Sequence, residues 1–104
     1  MLFFESNKDG NTLVCFFSGK LNAEKSNEMA PQLDKKIDEA RDEMKGLQVR
    51  FDLEDVDYIA SGFIRICMKT VQTVGKENFA IVRSNPMIKK TFKITGLDEE
   101  LNVS

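Results

Sequence analysis

Histidine and tryptophan are absent from this chain, and cysteine and proline occur only twice each. Without histidine there is no serine–histidine or cysteine–histidine nucleophile pair and no histidine-ligated metal site. Neither Cys15 nor Cys67 belongs to a Cys-x-x-Cys spacing, and nothing marks a secretory context. Both read as buried free thiols that behave as small hydrophobes. No G-x-x-x-x-G-K-[ST] loop is present to cradle the phosphates of a nucleotide, and no pair of carboxylates stands out for acid–base work. A small enzyme or nucleotide-binding domain is therefore disfavoured, and the chain is expected to use no cofactor and no small-molecule substrate. Long apolar runs are also missing. The longest, Leu13 to Phe17, is far too short to span a bilayer. A net charge of −2 lacks the basic excess of a nucleic-acid binder. Acidic Glu5 and Asp9 interrupt the opening where a signal sequence would be apolar. A cytoplasmic protein that binds neither nucleic acid nor membrane is the expectation.

What remains is an ordinary globular composition, 41% hydrophobic and 31% charged over 104 residues, enough for one domain (1–104) with a single core. Two strands, Leu2–Ser6 and Thr12–Phe17, flank a turn at Lys8-Asp9-Gly10-Asn11, an Asp-Gly hairpin signal. A helical segment follows from about Asn22 to Met44, with Met29, Leu33, Ile37, Ala40 and Met44 on one stripe and most charges off it. Pro31 lies inside and predicts a kink there, or a helix that has proline in its opening turn. Gly46 marks the end. Leu47–Leu53 alternates as a half-buried strand. A helix runs from Ser61 to about Val74, closed by Gly75. Phe79–Val82 is wholly apolar, as in a strand buried on both faces. Pro86 suits the first position of another helix, capped by Ser84 or Asn85 and stopped by Gly96. Leu101–Val103 predicts a brief last strand. Strands interleaved with helices give an α/β sheet with some parallel pairing.

The most informative stretch is Asp57-Tyr58-Ile59-Ala60-Ser61-Gly62-Phe63-Ile64-Arg65. It places one hydroxyl where a strand passes into a helix whose predicted core stripe is Ile64, Cys67, Met68 and Val71. Unpaired N–H groups and the positive end of the helix dipole meet there, so the place tolerates a phosphate. Read by residue type alone, Ser61 is an ordinary helix cap.

This stretch resembles the signature of the STAS domain of bacterial anti-sigma-factor antagonists, close to DYI-[DS]-S-[SA]-G-L-R. Asp57, Tyr58, Ile59, Ser61 and Arg65 match, and Ile64 stands for the Leu. Ser84-Asn85-Pro86-Met87-Ile88-Lys89-Lys90-Thr91-Phe92, followed by Ile94-Thr95-Gly96-Leu97, is similar to the family's NP-x-x-[KR]-[KR]-x-[FL]-x-[LI]-[ST]-GL. Ser18-Gly19-Lys20-Leu21-Asn22-Ala23 is similar to its G-x-LDA turn. Together the three patches cover most of residues 10 to 103. The resemblance implies a STAS-like fold: a mixed sheet of four to five strands packed with three to four helices.

It also implies a partner-switching regulator. Ser61 falls on the serine that the family's anti-sigma kinases phosphorylate. Unphosphorylated, the domain would bind an anti-sigma factor of the serine-kinase type; phosphorylation would end the contact, and a phosphatase is a further candidate partner. Asn22, Asp57, Ala60, Ser61, Gly62, Phe63 and Arg65 would make up the partner-binding surface. Each has a plainer reading. Asn22 caps a helix, Asp57 is a solvated loop acid, and Arg65 is a surface charge. Three positions depart from the family pattern. Ala60 stands where an acid or hydroxyl is usual, Gly62 where Ser or Ala is common, and Phe63 where the family has glycine. Phe63 is either core tucked beneath the loop or an exposed apolar anchor. The departures at 60 and 63 keep a second reading open: a STAS interaction module that is not phosphorylated, such as a subunit of a signalling or lipid-transport complex.

Overall fold

A computed structural model describes residues 1–104. The hairpin forms as its turn chemistry predicts, with β1 (Leu2–Asn7) antiparallel to β2 (Thr12–Leu21). Asn11 takes the left-handed backbone that closes it, φ 52°. β2 pairs in parallel with β3 (Gln48–Ile59), and β3 in parallel with β4 (Phe79–Val82), giving a mixed sheet in the order β1-β2-β3-β4. Three α-helices join and follow the strands: α1 (Ala23–Glu43), α2 (Ser61–Val74) and α3 (Pro86–Thr95). In place of a fifth strand, Val103 forms one parallel bridge to Ile81.

One sheet face is sealed. Leu13, Cys15 and Phe17 of β2, Val49, Phe51 and Leu53 of β3, and Phe79 and Ile81 of β4 are at most 3% exposed. The α1 stripe Met29, Leu33, Ile37 and Ala40 and the α2 residues Phe63, Cys67 and Val71 join the same core. The thiols of Cys15 and Cys67 are both pushed well up, chiefly by burial, as expected of inert core sulfurs. The opposite face is only half covered. Phe3 and Phe16 stack there at 4.7 Å, and Ala80 and Val82 are half-buried, so β4 is an edge strand and is not enclosed on both sides as its apolar sequence suggested.

β2 and β3 run four and six residues past the ends, Phe17 and Leu53, that the alternation predicts, because two register shifts, between Phe16 and Ser18 and between Gly19 and Lys20, carry the pairing past the point where period two fails. Through them the buried positions of β3 become Leu53, Val56 and Ile59, while Asp57 and Tyr58 both face solvent. Asp57 is thus a strand residue and not a loop acid. Pro31 lies nine residues into α1, which is continuous around it, so neither a break nor a proline in the opening turn occurs. α3 follows expectation: Asn85 Oδ1 accepts from the N–H of Ile88 at 2.8 Å, Pro86 opens the helix, and Gly96 ends it in the left-handed region.

Beyond β4, Arg83 takes φ 57° and turns its guanidinium back onto β3. Its Nε donates to Asp52 at 2.8 Å and its other nitrogens meet Asp52 and Glu54, holding a nearly buried carboxylate on the open face of the sheet. The Arg83 guanidinium is held above its ordinary value, first by the hydrogen bond to Asp52.

Candidate functional site

Two parallel strands end side by side, and each passes straight into a helix. Leu21 of β2 pairs with Ile59 of β3, and the Ala60 N–H donates to Leu21 O at 2.9 Å. One residue after each strand comes a helix cap, Asn22 for α1 and Ala60 for α2. Two helix N-termini therefore emerge together at the carboxyl ends of parallel strands, where α/β sheets commonly present their ligand groups. Both ends carry positive dipole potential and unpaired N–H groups.

Only one of the two is satisfied by a side chain. Asn22 Oδ1 accepts from the N–H of Lys25 at 2.9 Å, as its capping reading predicts. Ala60 has the extended backbone of a cap, φ −103° and ψ 170°, but no oxygen to offer. Phe63 and Ile64 donate to Ala60 O at 3.0 and 3.3 Å; no side chain reaches the N–H groups of Ser61 or Gly62. Ser61 is the first helical residue, one position past the cap, so the capping role expected of its hydroxyl is not the one it fills. It is exposed.

Around it the predicted residues divide. Asn22, Asp57, Ser61 and Arg65 are exposed, and Ala60 and Gly62 are half-buried. Arg65 lies one turn beyond Ser61. Phe63 belongs to the other class. It is fully buried, 5.0 Å from the ring of Phe17 and 6.0 Å from that of Phe51. The exposed-anchor reading of Phe63 is therefore overturned, and with it the place of this residue in a docking surface. The reason lies in helix phase. α2 buries Phe63, Cys67, Thr70 and Val71, with Ile64 and Met68 half-buried at the flank, because Phe17 and Phe51 leave an aromatic slot directly under position 63.

Gly62 brings α2 against α1. A Cβ there would lie 3.4 Å from Ser26 Cβ, an ordinary van der Waals contact. Two residues near this corner escaped the sequence reading. Tyr58 is 52% exposed beside Asp57, turned outward by the register shifts that period two does not reveal. Ser26 is a polar residue on the apolar stripe of α1, three positions before Met29, and that mismatch was visible in the sequence.

A mixed sheet whose adjacent parallel strands feed adjacent helix N-termini defines a small α/β domain with a polar, phosphate-tolerant corner. The chain belongs to the STAS domain family, whose model matches residues 4–104. No curated protein matches it. Among solved structures it is similar to an anti-sigma factor antagonist from Mycobacterium paratuberculosis, with 23% identity, a TM-score of 0.74, and coverage of 99% of this chain and 83% of that one. It is also similar to the Bacillus cell fate determinant SpoIIAA in the phosphorylated form, at 12% identity and a TM-score of 0.67, covering 100% of this chain and 91% of that one. The anti-sigma factor antagonist SpoIIAA in its unphosphorylated form gives 11% identity and a TM-score of 0.67, covering 90% and 83%. At these identities the likeness establishes the fold. No helix of the chain is long and apolar enough to cross a membrane.

Proposed function

We propose that this protein is an anti-sigma-factor antagonist that works by partner switching and performs no catalysis of its own. With Ser61 unmodified, the corner formed by Asn22, Asp57, Ala60, Ser61, Gly62 and Arg65 docks on an anti-sigma factor of the serine-kinase type. The kinase transfers the γ-phosphoryl group of ATP to Ser61 Oγ; ADP leaves, the hydroxyl proton is released, and the complex parts. A phosphatase reverses the modification. The observation that carries this reading is an exposed serine at the first position of a helix that has no side-chain cap.

The physics asks for no refolding. A phosphate brings about −1.5 to −2 charges and three acceptor oxygens, which the start of a helix accommodates within the domain. The same charge pressed into a desolvated interface is costly where acidic groups of the partner face it. A loss of about 3 kcal/mol weakens binding by roughly a hundredfold, enough for a switch.

Incubation with the cognate kinase and ATP should add one phosphate, located at Ser61 by mass spectrometry. Ser61→Asp should weaken the complex by roughly a hundredfold, and Ser61→Ala should bind but no longer respond to ATP. If the wild type stays unmodified while the kinase labels a control substrate, the switch reading fails. Ala60, in place of an acid or hydroxyl, favours a second reading: a STAS module that is not phosphorylated and serves as a scaffold or subunit. Unchanged partner binding by Ser61→Asp would select it.

A further inference from the structure

A groove between α1 and α2 is lined by Gly62, the residue that follows Ser61. It encloses about 210 Å³ and is walled mainly by Ser26 and Asn27 on α1 and by Gly62, Arg65 and Lys69 on α2. Ser26 is 2% exposed, and its hydroxyl has no hydrogen-bond partner. That hydroxyl lies 3.7 Å from where a Cβ on Gly62 would stand, against the first turn of α2. A buried hydroxyl left without a partner is costly, and the cost ends when an acceptor or donor arrives. The first turn of α2, which has no side-chain cap, begins one residue before Gly62 of this wall. Of the two cations on this wall, Lys69 is engaged by Asp34 at 2.8 Å, which holds its ammonium above its ordinary value. Arg65 forms no ion pair. It stands at i+4 from Ser61, the spacing at which helix side chains meet. An orphaned hydroxyl and an unpaired guanidinium thus share one groove, next to a helix start that has no side-chain cap.

We propose that this groove mouth is a phosphoryl-binding site that receives the phosphate carried by Ser61, with the first-turn N–H groups of α2, the Arg65 guanidinium and the Ser26 hydroxyl as its donors. The proposal rests on the reading of Ser61 as the modified residue and adds where its phosphate goes. Planar guanidinium donors suit phosphate oxygens, and Gly62 leaves the approach to Ser26 clear of any side chain. Phosphorylation then does two things at one place: it adds charge to the docking corner, and it draws Arg65 away from a partner and onto its own domain.

The test uses the full chain with phosphoserine placed at position 61 during synthesis, so no kinase is needed and failure of the kinase reaction cannot be mistaken for failure of the site. Thermal unfolding is measured for Ser61 and phosphoserine forms, each with Arg65 and with Arg65→Gln. The phosphate should raise Tm by about 2–5 °C at low salt. Arg65→Gln should remove at least half of that rise while leaving the unphosphorylated protein within about 1 °C of the wild type. Ser26→Ala should likewise reduce the phosphate-dependent rise, and the amide signals of Ser26 and Gly62 should shift on phosphorylation. An equal phosphate effect with and without Arg65, or unmoved Ser26 and Gly62 amides, overturns the proposal. A second arm titrates the unmodified protein with inorganic phosphate against chloride of equal ionic strength. A Tm rise there that Arg65→Gln abolishes would assign the groove to a free anion and overturn its assignment to Ser61.

Discussion

Phe63 occupies the position where the STAS signature carries glycine, and its ring fills the slot between Phe17 and Phe51 with no exposed surface. Edge-on aromatic contacts of this kind add to the hydrophobic contribution of burial. The substitution therefore belongs to the core and adds no ring to the surface beside Ser61. That weakens half of the case for a module that escapes phosphorylation, and Ala60 alone remains on that side. Removing the ring leaves a cavity that the surrounding sheet cannot close. Phe63→Ala should cost about 3–5 kcal/mol in urea unfolding, and Phe63→Gly about 1 kcal/mol more, since glycine also weakens the helix. A loss under about 1 kcal/mol for the alanine variant would mean that the ring is not packed as described. The sequence could not choose between core and surface here. Position 63 lies outside the stripe set by Ile64, Cys67, Met68 and Val71, and only the partners of Phe63 on two other strands fix the phase of α2.

Helix α2 begins without a side-chain cap while its neighbour α1 begins with one, and the contrast makes a direct comparison possible. Ala60 already has the extended backbone that a capping residue needs. Ala60→Ser should therefore stabilise the domain by about 1 kcal/mol, and Asn22→Ala should destabilise it by a similar amount, both read from denaturant midpoints at constant slope. Should Ala60→Ser leave stability unchanged, the first-turn N–H groups of α2 would already be satisfied, and the phosphate-ready character of the corner would go with them. Elements of this kind were largely legible in the chain. The Asp-Gly hairpin, the α1 stripe, the Asn85-Pro86 start and the Gly96 stop are local signals, and the structure places each where its residue chemistry puts it. Strand length was not legible. The shifts after Phe16 and Gly19 break the alternation on which the boundaries at Phe17 and Leu53 were drawn, and the cause lies in pairing between strands far apart in sequence. For the same reason Ser61 was read as a cap: the chain shows that strand gives way to helix, but not that Ile59 still belongs to β3.

The two edges of the sheet are treated differently. β1 is open along its length but carries Glu5, Ser6 and Asn7, polar groups that discourage pairing with another chain. β4 reads Phe-Ala-Ile-Val, with no polar side chain to protect it. Its edge is covered by residues 101–104. Ile81 donates to Asn102 O at 3.3 Å, the Ser104 N–H donates to Ile81 O at 2.9 Å, and the Asn102 amide donates to Phe79 O at 2.8 Å. Leu101 pins this cover into the core with no exposed surface. Removing residues 101–104 should thus have two separable effects. The loss of Leu101 costs about 2–5 kcal/mol, and exposure of an apolar edge strand promotes association. Leu101→Ala, with the rest of the cover intact, should show the first effect without the second. The expected outcome is a lowered Tm for both proteins, with concentration-dependent sedimentation only for the shortened one. If Leu101→Ala associates equally, lost stability and not the bared edge drives association, and the cover over β4 is incidental. If instead only the shortened chain associates, residues 101–104 act as a guard: they keep the sheet from recruiting strands at the edge opposite β1.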